Sequence, residues 1–280
     1  MGDRNPAPTL IDSSDGVRVA LHDLGGNGPP LLMLHATGFH GRCYRAVAEH
    51  LVGHFHVWAP DLRGHGDSIT PADTGLGWAS MADDVRAVSE HLGVGSWAVA
   101  GHSMGGAVAV KTALLHPGLV SAAWVFEPVI LPPVAVTVAD RGNRLAESAR
   151  LRRHDFDSFD QAIERYAQAA PFARVSRNVI RDYVVDGFRE TDTGISLKTS
   201  GETEARLFEG IDLELFGQLP SVAAPITVAA SADGGPPSTV AEQITDQLPN
   251  ARSVFWPDNT HFGPFEDPRR AAAEILAAVL

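Results

Sequence analysis

Short apolar runs alternate with amphipathic stretches along most of this 280-residue chain, and this alternation constrains its fold more than any other feature. The apolar runs, bounded by Gly, Pro or Asp, include LLMLH (31–35), WAVAG (97–101), AAWVFE (122–127) and ITVAA (226–230). Runs of this length are typical of buried strands in a mostly parallel sheet. The amphipathic stretches between them predict helices, for example over 77–92, 104–116 and 267–279. Strands and helices in alternation predict an α/β fold with a doubly wound sheet.

The alternation breaks between Val134 and Phe216, where no buried strand is evident. Charged segments with helical periodicity, such as SFDQAIERYAQAA and ETEARLFEGIDLELF, occupy this region instead. Because the region is too long for a loop and has its own periodicity, we predict a helical insert between two strands of the sheet.

A serine lies at the junction of a predicted strand and a predicted helix. Residues 101–105, GHSMG, match the pattern G-x-S-x-G around Ser103. In this context the pattern indicates a tight, strained turn that lifts the serine out of the sheet edge, with glycines where larger side chains would clash. The sequence therefore predicts Ser103 as a nucleophile, which needs a general base to accept its proton.

The chain has 12 histidines that could act as this general base. His261 follows the last predicted strand and precedes the final helix, in PDNTHFGPFEDP. Loops at the carboxyl ends of strands line the ligand site of an open α/β sheet, so we predict His261 as the general base. His102 is next to Ser103 in the chain, but its side chain is expected to point away from the turn.

A carboxylate should orient the base, and two candidates end predicted strands at the same edge. Asp233 follows ITVAASA and is the preferred acid, while Glu127 at the end of AAWVFE is the alternative. Backbone N–H groups should bind the oxyanion formed in the reaction. We predict that Met104 supplies one of them and Thr37 the other, with Gly38 as the alternative to Thr37.

Five stretches together, LHATGFHG, DLRGHGDS, GHSMGG, SADGG and HFGPFEDP, resemble the α/β-hydrolase superfamily and have the order Ser, Asp, His. The resemblance implies an eight-stranded sheet with one antiparallel strand and a helical cap between strands six and seven. The insert coincides with that cap, so we expect a cap over 134–216 and a hydrolase core over 1–133 and 217–280. The resemblance also implies an alternative acid, since some relatives, the zearalenone-type lactonases among them, use a glutamate of strand six, the position of Glu127.

These residues lead us to expect a serine hydrolase that cleaves a small to medium apolar ester or lactone, with water as second substrate and with no cofactor or metal. A mostly apolar pocket between cap and sheet, lined in part by aromatic side chains of the cap, should hold the substrate. The alternatives are a carbon–carbon bond hydrolase, a cofactor-free haloperoxidase or lyase, and a ligand-binding receptor with little turnover. Ser103 argues against dehalogenases and epoxide hydrolases of the same fold, which need an aspartate as nucleophile.

The composition argues against several classes of binding partner. The formal net charge of −12 argues against binding to nucleic acid, which requires a basic face. The single cysteine, Cys43, excludes an intrachain disulfide and a cysteine metal cluster. The longest apolar stretch, 119–138, contains Glu127 and three prolines, so it does not predict a membrane helix. We expect a cytoplasmic protein without a membrane partner, and the oligomeric state stays open.

Overall fold

The computed structural model describes residues 6–132 and 139–280. The expected boundary between core and cap, at 133/134, lies outside the described residues. Within them the strands are β1 (Thr9–Asp12), β2 (Arg18–Gly25), β3 (Pro30–Leu34), β4 (His56–Asp61), β5 (Trp97–His102), β6 (Val120–Phe126), β7 (Asp155–Phe156), β8 (Phe188–Thr191), β9 (Gly194–Leu197), β10 (Ile226–Asp233) and β11 (Ala251–Thr260).

Eight strands form one sheet in the order β1-β2-β4-β3-β5-β6-β10-β11. Strand β2 is antiparallel to both of its neighbours, and the pairs from β4 through β11 are all parallel. The prediction of a mostly parallel eight-stranded sheet with one antiparallel strand is therefore confirmed.

The helices are α1 (Arg45–Ala48), α2 (Trp78–Leu92), α3 (Met104–Leu115), α4 (Ala139–Leu151), α5 (Phe159–Ala167), α6 (Arg177–Gly187), α7 (Gly201–Glu209), α8 (Leu215–Gln218), α9 (Pro236–Thr239), α10 (Ala241–Gln247), α11 (Gly263–Glu266) and α12 (Pro268–Val279). None of the helices in the described ranges has both the length and the apolar character needed to cross a bilayer.

Helices cover both faces of the sheet, and this is why the central strands read as continuous apolar runs. Every residue of β5 is buried. Val99 of β5 packs in the cluster that contains α2, α3 and α10, whereas Ala98 and Ala100 pack in the cluster that contains α1 and α12. The alternation of side chains across β5 thus contributes to two cores, one on each face, as expected of a doubly wound sheet.

The segment between β6 and β10, called the insert below, contains α4 to α8 and a small sheet of order β7-β9-β8. The prediction that this segment contains no buried strand was wrong, because β7, β8 and β9 form the small sheet. Its strands have two to four residues, and three of the four residues of β8 are exposed, so no apolar run marks them. The helical expectation holds elsewhere: α5, α6 and α7 each begin after a serine N-cap, at Ser158, Ser176 and Ser200.

Candidate active site

Ser103 forms the turn between β5 and α3 and has φ 56° and ψ −116°, a conformation that residues with a side chain rarely adopt. Its N–H donates to the carbonyl of Phe126 at 2.9 Å, and its carbonyl accepts from Ala107 at 3.1 Å. A Cβ at Gly101 would lie 2.6 Å from the carbonyl oxygen of Gly105. A Cβ at Gly105 would collide with the carbonyl oxygen of Leu34. Both glycines of the pattern are therefore required by the close approach of the backbone.

His261 immediately follows β11, and its Nδ1 lies 2.5 Å from Oε2 of Glu127. Glu127 directly follows β6, its side chain is fully buried, and its φ is 45°. The other carboxylate oxygen of Glu127 accepts from the N–H of Ser231 at 2.7 Å and from its hydroxyl at 2.5 Å. Three hydrogen bonds thus compensate the burial of this carboxylate and hold the imidazole in one orientation.

The preference for Asp233 as the partner of His261 is corrected by this geometry. Asp233 is exposed at the end of β10, and the carboxylate that reaches His261 is that of Glu127. A register shift separates Ser231 from Asp233, and the chain then crosses the Glu127 carboxylate so closely that a Cβ at Gly234 would collide with both of its oxygens. Glu127 therefore occupies the space beside His261.

The loop after β3 and the start of α3 lie together. The Thr37 hydroxyl is 3.3 Å from Sδ of Met104. Neither the Thr37 N–H nor the Met104 N–H donates to another described residue, whereas the Gly38 N–H donates to Nε2 of His65 at 3.1 Å. Thr37 and Met104 are thus the two residues of the predicted set that present free donors.

Two histidines without a predicted role support this loop and His261. Burial lowers the pKa of His65 and keeps its ring neutral, as needed to accept from Gly38. His102 has Nδ1 2.8 Å from the Tyr44 hydroxyl and Nε2 2.7 Å from the carbonyl oxygen of His261. Burial lowers the pKa of His102 well below its ordinary value. Both ring nitrogens of His102 are thus engaged, and the ring positions the backbone of His261. The only signal of this role in the sequence is that His102 is next to Ser103.

Ser103, His261, Thr37 and Met104 line one pocket of about 1340 Å³. Its surface is mostly apolar, and the insert contributes the aromatic side chains Phe156, Tyr166, Phe172, Tyr183 and Phe208. The expectation of an apolar pocket between the insert and the sheet edge is confirmed. The Ser103 hydroxyl makes no hydrogen bond to His261 within the described structure, so the geometry brings the two to the same pocket without joining them.

One possible group of metal ligands lies elsewhere. Donor atoms of His22, Asp61 and Asp67 come within 4.8 Å of one another. The Asp61 carboxylate already accepts from the N–H of Gly41 and from that of Asp67, each at 2.8 Å, and lies 2.9 Å from Nε2 of His22. These contacts give the buried carboxylate a structural role at the start of the loop that follows β4.

Comparisons with known proteins agree with this architecture. A family model described as the alpha/beta hydrolase fold matches residues 29–268. The chain is 42% identical to the magnesium-chelatase 30 kDa subunit of Rhodobacter capsulatus over 91 residues, and this alignment covers 32% of each chain. It spans only about a third of the length of this relative and of the next two that it matches.

Two further relatives align over nearly the full length. The chain is 25% identical over 257 residues to a pimeloyl-[acyl-carrier protein] methyl ester esterase of Vibrio vulnificus, which covers 90% of this chain and 94% of that one. The crystal structure of E-2-(acetamidomethylene)succinate hydrolase superposes with a TM-score of 0.84 at 21% identity, over 97% of this chain and 98% of the other. At this identity the superposition establishes the fold alone.

Proposed function

Since the chain belongs to the α/β-hydrolase family, we propose that it is a serine hydrolase that cleaves a small to medium apolar carboxylic ester or lactone. The observation that supports this most strongly is the contact of the fully buried Glu127 carboxylate with the half-buried His261, at the pocket that Ser103 lines. In this proposal residues 134–216 act as a cap that selects the substrate, and residues 1–133 and 217–280 form the catalytic core.

In the first half of the reaction, the Ser103 oxygen attacks the carbonyl carbon while Nε2 of His261 accepts the serine proton. Nδ1 of His261 donates to Glu127, which leaves Nε2 as the acceptor and stabilises the imidazolium that forms. His261 then protonates the leaving alcohol, and an acyl group remains on Ser103. In the second half, water attacks the acyl group with His261 again as base, and the acid is released.

The negative oxygen of each tetrahedral intermediate is bound by the N–H groups of Thr37 and Met104. Both lie beside Ser103 in the pocket and have no other acceptor among the described residues. Removal of one such donor typically costs about 10² to 10³ in kcat. Hydrogen bonds between nucleophile and base are often long in ligand-free sites and tighten with substrate, so we expect the substrate to draw the Ser103 hydroxyl toward His261.

A panel of p-nitrophenyl esters, lactones and aryl diketones, run with the wild type and with Ser103→Ala, tests the proposal. We expect esters or lactones to be cleaved by the wild type and not by the variant. Turnover confined to the diketones would identify a carbon–carbon bond hydrolase instead. Binding without turnover of any member would favour a receptor, and either result would contradict the proposed ester chemistry.

A further inference from the structure

A hydrogen-bonded cluster of polar side chains lies within the mostly apolar surface of the pocket. It consists of Arg152, Tyr166, Tyr183 and Glu204, all from the insert and all lining the pocket. Nη2 of Arg152 donates to the hydroxyl oxygens of Tyr166 and Tyr183, each at 2.8 Å. Nη1 of Arg152 donates to the carboxylate of Glu204. Because Glu204 balances the charge of Arg152, this Arg–Tyr cluster brings two phenols together without a net charge.

The two phenol protons have no acceptor in the described part of the chain. A hydroxyl can donate one hydrogen bond and accept two, and a guanidinium can only donate. Each phenol oxygen here accepts from Arg152, so each phenol proton must be directed at something other than Arg152. Burial raises the pKa of Tyr183 well above its ordinary value, so this phenol stays protonated. Phenols withdrawn from water usually donate to a partner.

The Arg–Tyr cluster lies close to the reacting centre. A Cβ at Gly38 would be 2.6 Å from Oε1 of Glu204 and 3.7 Å from Nη1 of Arg152. The cluster therefore packs against the loop that carries Thr37. The rings of Tyr166 and Tyr183 pack against each other with centroids 5.0 Å apart, and both contact Phe172. This packing fixes the two hydroxyls in direction, as a binding site requires.

We propose that Tyr166 and Tyr183 bind an oxygen acceptor of the substrate that is distinct from the scissile carbonyl. The substrate class is then an ester or lactone that carries a second carbonyl or a carboxylate within reach of the first. This inference rests on the proposed function and refines it. Both acceptor types fit two phenol donors polarised by a guanidinium, and the experiment below separates them.

Three matched series of methyl esters test the inference: alkanoates, oxoalkanoates, and monomethyl esters of the dicarboxylic acids from succinate to suberate. The variants are Tyr166→Phe, Tyr183→Phe and the double variant, which keep the aromatic packing. For the favoured oxygen-bearing series we expect each substitution to lower kcat/KM about threefold to tenfold if the acceptor is a neutral carbonyl, and about tenfold to a hundredfold if it is a carboxylate. The alkanoates should change by less than about twofold.

Tyr44→Phe is the matched control, because it removes a phenol that contacts His102 and does not line the pocket. Any loss in this variant should be equal in all three series. Equal losses in the three series for the Tyr166 and Tyr183 variants, or no loss in any series, would overturn the inference while leaving the serine hydrolase intact.

A binding measurement keeps the inference testable if no ester turns over, which would instead contradict the proposed function. Monomethyl glutarate, methyl 4-oxopentanoate and methyl pentanoate are titrated calorimetrically into Ser103→Ala and into the same protein with both tyrosines replaced by phenylalanine. We expect monomethyl glutarate or methyl 4-oxopentanoate to bind more tightly than methyl pentanoate, and only in the protein with both phenols. Equal or undetectable binding of all three esters would overturn the inference.

Discussion

The residues around Ser103 and those around Arg152 face the same pocket, but different kinds of contact hold them. Backbone groups position the first set: Ser103 donates to a strand end, Gly38 donates to His65, and Glu127 accepts from the N–H of Ser231. Side chains link the second set, since the guanidinium of Arg152 connects two phenols and one carboxylate from three helices.

This difference separates the reaction from the choice of substrate. Strand ends and tight turns keep their geometry under many sequences that preserve the sheet, so the proposed acyl-transfer chemistry should tolerate sequence changes around it. A cluster held by side chains can be altered by one substitution without a change in fold. We infer that the core determines the reaction and that the insert determines which ester is cleaved.

The largest expected effect is the loss of activity in Ser103→Ala. The backbone of Ser103, not its hydroxyl, makes the bonds that hold the turn, so the fold should persist. Loss of the nucleophile should lower kcat by about 10⁴ or more. Steady-state kinetics with the best ester of the panel measures this, and thermal unfolding serves as the control for fold. Residual activity within about tenfold of wild type would show that Ser103 is not the nucleophile.

A smaller loss is expected when the backbone contact behind the acid is disturbed. In Gly234→Ala the new methyl group would collide with the Glu127 carboxylate and displace it from His261. A misplacement of about 1 Å can cost about 10² in rate, so we expect a loss of that order in kcat.

Gly217→Ala is the matched control for Gly234→Ala. Gly217 is an exposed glycine, and a Cβ there would have no neighbour within 4 Å. This control should keep wild-type kinetics. Wild-type activity in Gly234→Ala itself would show that the site tolerates displacement of the Glu127 carboxylate. The residues around Ser103 would then be no more strictly positioned than those around Arg152.

The smallest effect concerns the seam where α6 of the insert meets α1 of the core. Burial raises the pKa of Asp182 to about 6, and the repulsion of Asp186 adds to this, although Arg45 lies 3.3 Å away and opposes it. In the unfolded chain the carboxyl ionises at its lower, ordinary pKa, so the folded state binds the proton more tightly. Stability should therefore fall as pH rises between the two values and stay lower above about pH 6.

Asp182→Asn removes this titration. Relative to wild type, the free energy of unfolding of the variant should rise by about 1 to 3 kcal/mol between about pH 4 and about pH 8. Urea denaturation of both proteins at the two pH values measures the difference, and ionisations elsewhere cancel. A constant difference between the proteins would mean that Asp182 ionises in the folded and unfolded states alike.

Much of the core could be predicted from the sequence because its signals are local. The apolar runs marked the strands of the large sheet, and the glycines around Ser103 marked a turn whose backbone spacing excludes side chains. Ser103 and His261 each lie at a strand end, so the direction of the strands brings them to one edge.

The acid was harder to predict, because Glu127 and Asp233 end neighbouring strands and satisfy the same rule. The register shift after Ser231 and the crossing of Gly234 decide between them, and neither has a sequence signal. The Arg–Tyr cluster was missed for a related reason. Its hydrogen bonds join Arg152 to residues 14, 31 and 52 positions away along the chain, and no periodicity connects these segments.

A comparison of Glu127→Gln with Asp233→Asn, by kcat/KM on one ester, shows which carboxylate orients His261. The amide of glutamine keeps the shape of Glu127 but cannot stabilise an imidazolium and favours the wrong tautomer of His261, so we expect a loss of about 10³ to 10⁴. Asp233 is exposed, and its carboxylate does not contact His261, so Asp233→Asn should stay within about threefold of wild type. A larger loss in Asp233→Asn than in Glu127→Gln would contradict the assignment of Glu127 as the carboxylate that orients His261.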